Sequence, residues 1–211
     1  RNTWIKQIDI LKNELRGLTS GHILFEYSIP RMGKRADIIL IHSGFVFVIE
    51  FKVNATQYHS ADIEQCLDYA LDLKNFQEGS HNISLVPILI STKAQKFQNI
   101  LEKYPDGIFK PLKCNSDNIR ETIDSVGASE EFEKVFYKYG LQNWKFSFRD
   151  DLVADALASK SHTLFIRSSA KWSPERLQAT IAHEIETHIL RAENGKNQPY
   201  QIFARGLADY L

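Results

Sequence analysis

Residues 37–53 read DIILIHSGFVFVIEFKV, two apolar runs broken by Ser43-Gly44. A Ser-Gly pair between such runs is a two-residue hairpin turn, so His42 pairs with Phe45 and the register carries Asp37 opposite Glu50. Two carboxylates facing each other at roughly 5 Å destabilise a sheet. Lys52 lies two residues beyond Glu50 and returns to the same face. Ile38, Ile39, Phe47, Val48 and Ile49 make both faces apolar, so the strands are expected to be central and covered, and three charges there need a reason. A divalent cation between the carboxylates is one reason. An ordinary ion pair of Glu50 and Lys52 at a strand end is the other.

The surrounding pattern is that of a mixed α/β chain. Trp4, Ile8, Leu11 and Leu15 recur at helical spacing. Strands are expected at 23–29, 37–41, 45–53, 85–91 and near 108–112, with helices at 62–76, 93–103 and 117–126. Strand–helix–strand order over 45–91 implies a parallel crossover. Gly127-Ala128-Ser129 is the best candidate boundary between domains at 1–126 and 130–211. Beyond it come a helix over 130–139, strands at 144–148 and 163–167, and a long helix begun by Ser173-Pro174 and stopped by Gly195.

Composition narrows the class without naming a function. Apolar residues make up 43% of 211 residues and charged ones 25%, enough for a sizeable core. Lys plus Arg equals Asp plus Glu, 26 each, so nucleic-acid binding would need a local patch. Arg31, Lys34 and Arg35 form one, with a solvated loop the equal alternative. Cys66 and Cys114 have no metal-ligand spacing and read as buried thiols of a reducing compartment. With no membrane-length apolar run and no signal peptide, the expected location is cytoplasmic and no membrane partner is expected. The chain opens on Arg1 and stops at Leu211 in ordered-looking sequence, so it reads as cut at both ends.

Gln65 and Tyr69, four apart, share a face of the helix after the hairpin. With Asp37, Glu50 and Lys52 they make residues 1–125 resemble the PD-(D/E)xK nuclease superfamily, in its RecB-like branch with a Q-x-x-x-Y helix. The stretches carrying the likeness are FEYSIPRMGKRADIIL, VFVIEFKV and DIEQCLDYALDLKNFQEGSH, followed by VPILISTKA, and their resemblance is closer still to nuclease-like domains that precede certain helicases. The resemblance implies Mg2+- or Mn2+-dependent cleavage of DNA or RNA. It places the cation on Asp37 and Glu50, with Lys52 activating water and Glu26 contributing through a water. Gln65 and Tyr69 would support the site, and Arg31, Lys34 and Arg35 would face the nucleic-acid backbone. The helicase those domains precede does not follow here.

A second signature lies at His183-Glu184-Ile185-Glu186-Thr187-His188. Zinc helices usually space two histidines four apart. Five positions in a regular helix leave them roughly 140° apart, whereas a π-turn makes i and i+5 neighbours. A lone motif of this kind is more often a pair of surface or structural histidines. Together with YGLQNWKFSF and LQATIAHEIETHILRAENGKNQPYQIFARGLADYL, however, it makes residues 131–211 resemble the zincin-like family that includes tubulin tyrosine carboxypeptidases. The resemblance implies Zn2+ on His183 and His188, Glu184 as general base, and a peptide or protein C-terminus as substrate. That family's third ligand, a glutamate, is expected just beyond Leu211. Glu193 and Asp209 are the substitutes within the chain, with nothing to recommend them, and little peptidase activity is expected from these residues.

The combined expectation is an α/β, restriction-endonuclease-like part with a mixed sheet flanked by helices, then a small α+β, mainly helical, zincin-like part. The leading functional reading is a Mg2+-dependent nuclease joined to an incomplete zinc metallopeptidase. The alternatives are a zinc metallocarboxypeptidase with an N-terminal binding module, or an inactive fragment or fusion.

Overall fold

A computed structural model describes residues 2–196 and 198–199, and divides the chain into two compact units, Arg1–Ile123 and Asp124–Leu211. The expected Asp209 lies outside the described residues. The architecture is mixed α/β, with mixed sheets and flanking helices. No helix among the described residues is long and apolar enough to cross a membrane.

The first unit is built on a five-stranded sheet in the order β1-β2-β3-β4-β5 (His22–Ser28, Arg35–His42, Phe45–Lys52, Ser84–Ser91, Leu112–Cys114). β1, β2 and β3 run antiparallel; β3, β4 and β5 run parallel. The unit opens with α1 (Asn2–Glu14), and α2 (Ser60–Phe76) is the crossover between β3 and β4. The hairpin turn has positive φ at both Ser43 (50°) and Gly44 (81°), as a two-residue turn matching strand twist requires. Its register is the expected one, His42 with Phe45 through Ile38 with Ile49. Phe45 to Phe51 and Leu85 to Ser91 are buried throughout, because helix and loop cover both faces of a partly parallel sheet.

Two sequence expectations fail, one in this unit and one where it meets the next. Residues 93–103 form no helix. Asn99 instead bonds both the N–H and the C=O of Lys113, and Lys110 N–H donates to the Glu102 carbonyl, so these bonds tie the segment to its neighbour without a helix. The two helices expected around Gly127-Ala128-Ser129 are one, α3 (Ile119–Lys138). Ala128 and Ser129 are buried, and the Ser129 hydroxyl donates back to the Val126 carbonyl. The division between the units falls between Ile123 and Asp124, within that helix.

The second unit has a three-stranded sheet, β6 (Lys145–Arg149), β8 (Thr163–Arg167) and β7 (Ala156–Ser159), in that order. β6 is parallel to β8 and β7 antiparallel to it. A long helix follows as α4 (Pro174–Thr180), a π-helix (Ile181–Ile189) and α5 (Leu190–Gly195). Ser173 caps it by accepting from the Arg176 N–H at 3.2 Å, with Pro174 in the first turn. Ile181, Ile185 and Ile189 are buried, which fixes the helix on the core and leaves the opposite side for other chemistry.

Candidate functional site

The π-helix is where the second unit departs from regular structure. Leu190 N–H donates to the Ile185 carbonyl, and the Thr187 hydroxyl reaches the Ala182 carbonyl at 2.9 Å, both spans of five residues. The widened turn brings the rings of His183 and His188 to 4.7 Å between centroids. Ligand atoms of His183, Glu184 and His188 all lie within 4.8 Å of one another, the one such group among the described residues. Imidazole nitrogen suits Zn2+, and a carboxylate beside it suits either ligation or proton transfer, so the donor set fits zinc.

The three side chains open on a cleft of about 530 Å³. Its lining is apolar at Ala154, Ala156, Leu157 and Ala158 and basic at Lys160, Arg191 and Lys196. Glu184 is held on both oxygens: Oε2 accepts the Ala158 N–H at 3.1 Å, and Oε1 accepts from His183 Nδ1 at 3.1 Å. Glu193 also lines the cleft but is committed elsewhere. Its Oε1 receives Trp144 Nε1 at 2.8 Å and Lys196 Nζ at 2.7 Å, and lies 3.3 Å from His162 Nε2. Partial burial works against its charge, yet the bonds from Lys196 and Trp144 hold its carboxyl below the ordinary value. Neither the Ala158 amide nor the Trp144–Glu193 pair was signalled by the sequence, since a backbone donor leaves no residue pattern.

The first unit gathers a second set. The register of β1 on β2 places Glu26 across from Asp37, and that of β2 on β3 places Asp37 across from Glu50, although the ladders skip both pairs. Asp37 Oδ2 instead accepts the Phe51 N–H at 2.9 Å. Glu26 has φ +50°, an unusual value for a residue with a side chain. Lys52 Nζ stands 3.4 Å from Glu50 Oε1, 3.2 Å from Asp62 Oδ1 and 2.9 Å from Gln65 Oε1. The other end of Gln65 donates to the Tyr69 hydroxyl at 2.6 Å. Asp62 was overlooked in the sequence, although its spacing from Gln65 puts it on the same helical face.

Burial raises the Glu50 carboxyl to about 7, with the Asp37 charge adding to the rise and Lys52 opposing it. Burial likewise raises Asp37, against the bond from Phe51. Glu50 Oε2 is buried with no hydrogen-bond partner among the described residues, which leaves a lone-pair site that a cation would satisfy. That observation fits Mg2+ or Mn2+, both oxygen-preferring. The neighbouring basic cluster is largely matched by acids: Lys34 pairs with Asp72 at 2.9 Å and Arg35 with Glu26 at 3.2 Å. Arg31 is exposed.

Two histidines and a glutamate on one widened helix, facing a cleft, are the side-chain set of a metallopeptidase-type site. The family model for microtubule-associated tyrosine carboxypeptidases matches residues 91–211, more than half of the chain, and the chain belongs to that family. The match begins at 91 rather than near 131, and residues before it, including Asp37, Glu50 and Lys52, are outside it. No curated protein matches the chain in sequence.

Proposed function

We propose that the chain carries a zinc-dependent peptidase site acting on the C-terminal end of a peptide or protein, with tyrosine as the residue released. The observation that carries this reading is the π-turn that unites His183, Glu184 and His188, in a chain of a family described as tyrosine carboxypeptidases. His183 and His188 would hold the metal. Zinc there supplies Lewis acidity, which acidifies water and polarises a carbonyl. Glu184 is the proton carrier: it takes a proton from the attacking water and returns it to the leaving amine. The small side chains of the apolar lining leave room for a peptide backbone, and Lys160, Arg191 and Lys196 give the cleft basic groups suited to a carboxylate. The test is tyrosine release from a short peptide by zinc-loaded protein. Release that Glu184→Gln abolishes sustains the reading, and zinc-loaded protein with no Glu184-dependent release removes it.

A second reading belongs to the first unit: metal-dependent cleavage of DNA or RNA. Its specific support is the buried, unpartnered Glu50 Oε2 beside Asp37 and Lys52. Asp37 and Glu50 would hold Mg2+ or Mn2+, with Glu26 at the margin, and the cation would supply charge stabilisation at a phosphate. Lys52 would orient the attacking water, Gln65 and Tyr69 would hold Lys52 in place, and Arg31, with Lys34 and Arg35 released from their acids, would meet the backbone. Cleavage of a labelled polynucleotide with Mg2+ or Mn2+, lost in Lys52→Ala without unfolding, sustains this reading. No cleavage, or cleavage undiminished in that variant, leaves the unit as a binding module.

A further inference from the structure

Two loops leave the carboxyl ends of the parallel strands β3 and β4 tied to each other. Lys52 and Ser91, the last residues of those strands, are register partners. Beyond them the Thr92 N–H donates to the Lys52 carbonyl at 3.3 Å, and the Lys93 N–H to the Ala55 carbonyl at 2.9 Å. The Asn54 N–H donates to Thr92 Oγ1 at 2.8 Å. Tyr58 and Phe97 stand equally far along the chain from Lys52 and Ser91, and their rings meet edge to face with centroids 6.1 Å apart. The Tyr58 hydroxyl donates to the Gln95 carbonyl at 3.0 Å, which sets its ring. Lys113, the middle residue of β5, holds its Nζ 4.0 Å from the centre of the Phe97 ring. Phe97 is nonetheless 41% exposed, and Lys93, earlier in the same loop, is exposed too. No carboxylate among the described residues pairs with Lys93 or Lys113.

We propose that Tyr58 and Phe97 form a stacking platform for the bases of a single-stranded nucleic acid, with Lys93 and Lys113 meeting its phosphates. Ligands of α/β sheets bind outside the carboxyl ends of the parallel strands, and Glu50 and Lys52 lie at that end of β3. An exposed ring with an ammonium group over it gives a flat face for any base, whatever the sequence, beside a charge for the phosphate. A duplex keeps its bases stacked on one another and offers no free face, so the platform selects a single strand. The charge balance of the chain agrees with this division. Lys plus Arg equals Asp plus Glu, 26 each, so bulk charge supplies no general attraction and stacking has to add to a local one. The inference rests on the nucleic-acid reading of the first unit and adds the strand form that unit takes.

The test is fluorescence anisotropy of labelled oligothymidylate and oligouridylate, about twelve nucleotides long, titrated with the 211-residue chain. No Mg2+ or Mn2+ is added, so binding is read apart from cleavage. A duplex and an abasic strand of the same length serve as comparisons. At least one of the two single strands, DNA or RNA, is expected to bind about tenfold more tightly than either comparison. Phe97→Ala should lose that advantage, whereas Phe97→Trp should keep or raise it, because the larger ring stacks at least as well. Lys93→Ala should weaken every strand alike and flatten the dependence on salt. Equal binding of single strand and duplex, or of based and abasic strands, overturns the platform, as does no binding at all. So does a preference for bases that survives in Phe97→Ala, or polyglutamate that competes as well as the oligonucleotide. Cleavage is then read separately with Mg2+ or Mn2+. Phe97-dependent binding without cleavage keeps the platform and discards the nuclease, whereas cleavage without such binding keeps the nuclease and discards the platform.

Discussion

The Thr187 hydroxyl donates to the Ala182 carbonyl five residues behind it, at 2.9 Å, in the turn that joins His183 to His188. Widening a helix by one residue per turn disturbs its regular N–H to C=O ladder, and a hydroxyl at the right position supplies a donor where the backbone is displaced. Thr187→Val keeps the shape and removes that donor. It is expected to cost about 0.5–1.5 kcal/mol in chemical denaturation and to weaken zinc binding several-fold. Unchanged stability and unchanged affinity together would place the origin of the π-turn elsewhere.

Glu193 lines the cleft without joining the histidine cluster, because Trp144 and Lys196 already hold its carboxylate. Glu193→Gln should therefore leave zinc affinity within about threefold of wild type while lowering stability by about 1–2 kcal/mol through the weakened bonds. Zinc competition and urea unfolding on the same samples separate the two effects. The carboxyl sits below its ordinary value, so its stabilising contribution is present above the unfolded-state value and is lost as pH falls through the folded one. Loss of zinc binding in Glu193→Gln would make it a ligand after all.

Glu50 carries the opposite pH signature. Its carboxyl is raised from 4.5 to about 7, so between those values the folded chain holds a proton that the unfolded chain has lost. Stability from this group is full below about pH 4.5 and declines as pH rises through about 7. Glu50→Gln removes the buried charge. It should be more stable than wild type at pH 8, by up to about 3 kcal/mol, with the difference vanishing near pH 4. Thermal or urea unfolding across that range checks the sign; a variant less stable at pH 8 than at pH 4, relative to wild type, contradicts it.

Much of the candidate chemistry could be read from spacing alone, for physical reasons. Ser43-Gly44 between two apolar runs dictates a turn, and the turn dictates which residues face each other, so the carboxylate row was legible in outline. A spacing of five positions from His183 to His188 demanded a wider turn if they were to meet, and the helix has one. β7 was not legible, because Ala156-Leu157-Ala158-Ser159 lacks the β-branched residues that mark a strand and owes its form to pairing with β8. Residues 93–103 have apolar positions at helical intervals, yet the Asn99 side chain ties the segment to Lys113 and overrides that preference. Gly127-Ala128-Ser129 has the composition of a linker, but buried Ala128 and Ser129 keep it helical.

If one widened turn places His183 and His188 on the same zinc ion, calorimetric zinc titration of the wild-type chain beside His183→Ala and His188→Ala will separate the three proteins. One zinc per chain is expected, with affinity reduced by about a hundredfold or more in each variant, since even a supporting partner of a ligand is worth ten- to a hundredfold. Zinc bound with equal affinity by all three proteins would contradict that placement.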